Sequence, residues 1–280
     1  MSEHRCEPRP APRRHGPVRI SLVVTRCLLR GLPRFFSAAP KTPLRVLGII
    51  ALDSLRTLRT SQPLSRKRAG DLAKVLDFLG CTNAAWDHKQ LCRTEHETTR
   101  ERLHHAGLDA HIDAYLSRLR ELESRRPRTG GDRRRFDEVR SYREAVARLC
   151  VGTMAAIALD AEGNNETILP AERDPDVETL VRILLQCQII DDVVDYADDV
   201  SAGLPSFLTA TGSISQALEL TSAAARSYGA SGERAPGGAI FPFRITLALF
   251  TATATLVVRP AERRYRHDPN LEAACRRAGT

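Results

Sequence analysis

Between Asp174-Pro175 and Gly203-Leu204-Pro205 the chain has no glycine and, after Pro175, no proline. This punctuation marks one long helix. Asp174 is placed to cap its start, proline suits the first helical position, and glycine followed by proline stops it. A helix from Pro175 to about Val200 is about 39 Å long, the span of a small domain. The rest of the fold must give it helical neighbours or a sheet, and the pattern elsewhere favours helices.

After residue 44 the apolar spacing is helical almost throughout. Leu44–Arg59 precedes Pro63, and Ser65–Asp87 places Leu72, Val75, Leu76 and Leu79 on one face. Thr94-x-x-Glu97 is a capping box opening the next helix. Leu108–Arg125 stops before Pro127 and Gly130-Gly131, and Asp132 opens a segment reaching Leu159. Asn164-Asn165 marks a loop. Ser213–Ser227 is a further helix, Gly229–Gly238 a break, and two stretches, 243–258 and 260–277, close the chain. Aromatics are only 5% of the residues, and no convincing strand alternation or internal repeat occurs. The expected fold is all-α: one domain of seven to nine helices over residues 44–280, behind a tail at 1–43.

Hydrophobic residues make up 42% of the chain, enough for a real core. The net charge of +8 belongs entirely to residues 1–50; the remainder is balanced, so no nucleic-acid partner is expected. From Pro8 to Leu52 there is no acid, and prolines 8, 10, 12 and 17 favour an extended start. Three readings of this tail stay open: a basic amphipathic helix at residues 18–32 on an anionic membrane surface, an Arg-rich targeting peptide, or a mobile tail. Ala239–Val258 is the most apolar stretch. Pro242 and Arg244 interrupt it, which favours a core helix over a membrane span. The seven cysteines form no Cys-x-x-Cys pair, which argues against a zinc ribbon and suits a reducing, cytoplasmic setting.

The long helix carries Gln188-Ile189-Ile190-Asp191-Asp192-Val193-Val194-Asp195-Tyr196-Ala197-Asp198-Asp199. On a wheel of ~100° per residue, the five aspartates share an arc of roughly 120°, with Gln188 among them. A solvated face normally mixes signs, because like charges four apart repel. Here no Lys or Arg lies between Ile183 and Ala225. The acids also crowd the C-terminal end, where the helix dipole disfavours negative charge. A cation would compensate both effects, and carboxylates at i, i+4 and i+8 suit hard ions such as Mg²⁺.

This motif resembles the second aspartate-rich motif of class I isoprenoid synthases. The run on to Gly203-Leu204-Pro205 is similar to the squalene and phytoene synthase branch. The resemblance implies an all-helical bundle around a central active-site cavity. It also implies Mg²⁺, three ions in the family, bridging two acidic helices to a prenyl diphosphate. Asp191, Asp192, Asp195 and Asp199 would supply one half of the metal site. Asn83-Ala84-Ala85-Trp86-Asp87 is the candidate for the other half. Asn83 and Asp87 share a helix face, and Asn replaces the first acid of the family's Asp-x-x-x-Asp. The family's Asp-Asp-x-x-Asp with paired arginines is absent.

A diphosphate also needs cations within reach. Lys89, Arg143 and Arg148 are the candidates, with Arg148 preferred for its apolar neighbours and given a catalytic role beside Asp191 and Asp195. Arg264-Tyr265 resembles the Arg-Tyr pair of terpene cyclases. Trp86, Gln188, Phe207 and Phe241 are candidate pocket residues. The function implied is a Mg²⁺-dependent prenyltransferase that ionises a prenyl diphosphate and condenses it with a second prenyl unit, peripheral to a membrane through its tail. A terpene cyclase and a degenerate, membrane-associated helical binding protein are the alternatives. The oligomeric state stays open, a homodimer included.

Overall fold

The computed structural model describes residues 43–88, 93–159, 166–230 and 241–265, with side chains left out at a few helix ends. These residues form nine α-helices, one short 3₁₀ turn and no strand. The fold is all-α. The basic tail, Lys89, the Asn164-Asn165 loop and residues 266–280 lie outside the described residues. The chain forms two compact units, 1–65 and 66–280.

In the first unit α1 runs over Pro43–Thr60. The sequence assigned this helix to the main domain; it belongs to the N-terminal unit. Ser61 ends it with φ 62°. Asp53 then accepts the Leu64 N–H at 2.7 Å, tying the following turn back onto the helix.

In the second unit the helices are α2 (Arg66–His88), α3 (Arg93–His104), α4 (Asp109–Glu123), α5 (Arg133–Leu159), α6 (Pro175–Val194), α7 (Tyr196–Ala202), α8 (Ile214–Ala230) and α9 (Phe241–Tyr265). The start signals hold at α5 and α6. Asp132 Oδ1 accepts the Arg135 N–H, and Asp174 Oδ1 accepts the N–H groups of Asp176 and Val177 ahead of Pro175. Helix α3 is described from Arg93, and the Thr94 side chain expected to cap it lies outside the described residues.

The core gathers on α5, α6, α8 and α9, with α6 packed against the other three. From Leu149 to Leu159 every residue of α5 is buried. That permits a close crossing at Gly152: its carbonyl accepts the Leu169 N–H at 3.0 Å, and a Cβ here would stand 2.5 Å from the Leu169 carbonyl oxygen. Gln186 of α6 donates to the Ala225 carbonyl on α8 at 2.8 Å and to Thr251 Oγ1 on α9 at 2.9 Å, pinning three helices together.

Two expectations about helix ends are corrected. The helix expected to end near Val258 runs on through Pro260 to Tyr265, although proline there forfeits a helical hydrogen bond. The rest of the expected second helix lies outside the described residues. Val258, Ala261 and Tyr265 are buried on both sides of Pro260, and their packing carries the helix across. The long acidic helix, expected to be continuous to about Val200, breaks at Asp195 into α6 and α7. Helix α7 then ends on Gly203, whose φ of 64° lets the chain turn.

Candidate metal and diphosphate site

The break at Asp195 has a tertiary cause. Tyr265, at the end of α9, donates its hydroxyl to the Val193 carbonyl at 2.6 Å, and its ring packs on Tyr196 with centroids 4.9 Å apart. In an unbroken helix that carbonyl accepts the Ala197 N–H. The register survives nonetheless. The Asp195 N–H donates to the Asp191 carbonyl at 2.8 Å, and the Asp199 N–H to the Asp195 carbonyl at 3.0 Å. Asp191, Asp195 and Asp199 therefore stay on one strip across the break. Asp191, Asp195 and Asp198 are exposed and Asp199 is half-buried.

Asp192 departs from this group. It is only 5% exposed. Its Oδ2 accepts the Phe207 N–H at 2.7 Å, and its Oδ1 lies 3.4 Å from Arg143 of α5. It holds the Leu204–Phe207 turn onto α6 rather than facing the strip, which corrects its assignment as a metal ligand. The wheel put Asp192 at the edge of the acidic arc, and that edge faces the turn. Phe207, expected in a pocket wall, is fully buried with its ring 6.0 Å from Phe136.

The electrostatics match a strip short of positive charge. Burial raises the Asp191 carboxyl above the usual range, and the neighbouring Asp195 adds to this. Burial pushes Asp199 up to about 6, with Asp192 contributing. Burial also raises Asp192, against the pull of Arg143 and the Phe207 N–H. Arg143 lowers all three and is the cation whose field reaches the strip. The sequence offered it as a candidate with Lys89 and Arg148, and preferred Arg148. Gln188, one turn before Asp192, has a buried Oε1 that no described hydrogen bond reaches.

Arg148 lies elsewhere. Its guanidinium contacts Glu172 at 3.1 Å, Glu144 at 3.3 Å and Glu178 at 3.6 Å. Glu178 stands thirteen residues before Asp191, about 20 Å along α6. Arg148 clamps the 3₁₀ turn Ala171–Arg173 and the start of α6 to α5, so its expected catalytic contact with a diphosphate at the strip is corrected. Glu144 is shared with Arg140 and with the Tyr228 hydroxyl. Burial raises its pKa, and those bonds together with Arg148 bring it below the usual range.

On α2, Asn83 Oδ1 accepts the Tyr115 hydroxyl at 3.3 Å, so its single side-chain oxygen already has a partner. Trp86 is 44% exposed and lies on the surface, not in a pocket wall. The side chains of Asp87, Phe241 and Arg264, together with all of Lys89, lie outside the described residues. Helices α2 and α6 both pack on α5.

Among the described residues no three His, Cys, Asp or Glu side chains converge as a preformed metal cage. Mg²⁺ keeps several waters and takes one or two carboxylates plus substrate phosphates. The strip fits that looser demand. No family model matches the chain, no curated protein matches its sequence, and no solved structure matches it.

Proposed function

We propose that the chain is a Mg²⁺-dependent protein of the isoprenoid-synthase type, which takes the diphosphate of a prenyl diphosphate at the α6–α7 strip and condenses the ionised prenyl group with a second prenyl unit. One observation carries the reading. Three carboxylates stay in register across a broken helix end, and burial first, neighbouring aspartates second, raise the pKa values of Asp191 and Asp199 there. Asp191, Asp195 and Asp199 would hold Mg²⁺, one or two carboxylates to an ion. When bound, Mg²⁺ supplies the positive charge that a departing diphosphate requires. Arg143 stands at the inner edge of the strip, and Asp192 and the Phe207 N–H fix its position. Asp192 thus acts as a positioning residue.

A second reading, a binder that holds a prenyl diphosphate without turnover, is favoured by two placements. Arg148 is held by three glutamates, and Asn83 is bonded to Tyr115 where the family has an acid. The reading rests on the residues of this chain alone.

Calorimetric titration of Mg²⁺ into the full chain, with and without inorganic diphosphate, tests the shared part of both readings. Binding should require diphosphate and should vanish in Asp191→Ala/Asp195→Ala with the helical circular-dichroism signal intact. Equal binding by the double variant would remove the strip from the account.

A further inference from the structure

Helix α9 contains the one stretch among the described residues, Phe243–Ala261, that is long and apolar enough to cross a membrane. It is also part of the core. Phe243, Leu247, Ala254, Val258 and Ala261 are buried, and the helix packs on α6 and α8. Crossing a bilayer would strip α9 from Gln186, from Gly229, whose missing Cβ makes room for Thr251, and from the Tyr265 bond to Val193.

The opposite face of α9 is unusual for a water-facing surface. Ile245, Leu249 and Leu256 are 44%, 63% and 66% exposed. Ala248, Ala252 and Thr253 are exposed beside them. On a wheel of ~100° per residue, Ile245, Ala248, Leu249, Ala252 and Leu256 fall within roughly 100° of arc. A helix face turned to water normally carries charges of both signs. Here the exposed charges are Arg244 and Arg259, one at each end, and no acid occurs from Phe241 to Ala261.

We propose that α9 lies flat on an anionic membrane surface, its outer face entering the headgroup boundary while its inner face stays in the bundle. The arginines select this occupant. A second copy paired antiparallel about the middle of the stripe would set Arg244 beside the copy's Arg259, and a parallel pair would set each arginine against its equivalent. An anionic lipid surface meets both arginines with opposite charge and the leucines with acyl chain. The inference does not depend on the acidic strip, and its readout is lipid binding rather than turnover.

The test uses the full chain with vesicles of phosphatidylcholine alone or with about one third phosphatidylserine. The wild type should sediment with the anionic vesicles. Leu249→Glu/Leu256→Glu, both at exposed positions, should lower that partitioning by about tenfold or more. In a Trp86→Phe background, Leu249→Trp should shift its emission to the blue and be quenched by brominated acyl chains. Unchanged emission from vesicle-bound protein would place the contact elsewhere and overturn the proposal. So would self-association without lipid that the double glutamate variant abolishes, which would make the stripe an interface between copies.

Discussion

Replacing Asp192 separates a fold-holding aspartate from a metal-binding one. The side chain is buried and makes two contacts: a short bond from the Phe207 N–H and a 3.4 Å approach to Arg143. Asp192→Ala leaves the buried N–H without its acceptor, at a cost of about 1–3 kcal/mol. The arginine contact is long and Arg143 is partly exposed, so its loss adds about 1 kcal/mol or less. Burial already disfavours the Asp192 charge, and removing that charge returns part of the sum. The net expectation is a loss of about 2 kcal/mol. Asp192→Asn keeps an oxygen for the N–H and loses only the charge, so it should cost about 1 kcal/mol or less. Urea unfolding followed by circular dichroism measures both. Equal stabilities for the two variants would show that the Phe207 bond contributes nothing. If instead both variants matched the wild type in stability and lost Mg²⁺ binding in the presence of diphosphate, Asp192 would be a metal ligand and its fold-holding role would be refuted.

Three further outcomes follow from the structure. Asp199 has a raised pKa near 6, so the folded state holds its proton more tightly than the unfolded state does; its contribution to stability is full below the usual carboxylate range and is lost as pH rises to about 6. Unfolding measured from pH 4 to 7 should show that decline in the wild type and a smaller one in Asp199→Asn, and identical slopes would exclude it. Gly152→Ala should destabilise by about 1–3 kcal/mol in the same urea assay, because its Cβ meets the Leu169 backbone and not a flexible side chain; a change under about 0.5 kcal/mol would mean that the crossing is looser than described. Tyr265→Phe should cost about 1 kcal/mol and speed amide exchange at Ala197 and its neighbours, since the hydroxyl bond to Val193 holds the helix break; unaltered exchange would assign the break to another cause.

The parts of this fold written in local chemistry were legible. Asp132 and Asp174-Pro175 satisfy nearby backbone N–H groups, and Gly203 supplies a left-handed residue, so short-range rules find these ends. The features that escaped depend on distant partners. Helix α6 breaks where Tyr265 reaches it from 72 positions along the chain. Asp192 turns inward because Phe207 is delivered to it by the turn after α7. Arg148, surrounded by apolar residues in sequence, is captured by glutamates from the 3₁₀ turn and from α6 as well as from its own helix. A helical wheel shows which side chains share a face, and it carries no information about what the other helices bring to that face. Arg143 and Arg148 share a helix and a sign, and only the packed structure separates the one beside Asp192 from the one held by glutamates. The exposed leucines of α9 fell inside a stretch whose overall composition suggested a core helix, and only the packed structure divides its inner face from its outer one.

The most direct test of the central claim is pyrophosphate release from farnesyl and geranylgeranyl diphosphates by the full chain, with and without Mg²⁺, with mass analysis of the organic product. The account predicts Mg²⁺-dependent release, a product heavier than one prenyl unit, and loss of both in a folded Asp195→Ala variant. Release that is indifferent to Mg²⁺ or to Asp195, or no release from a folded protein with either substrate, would contradict it.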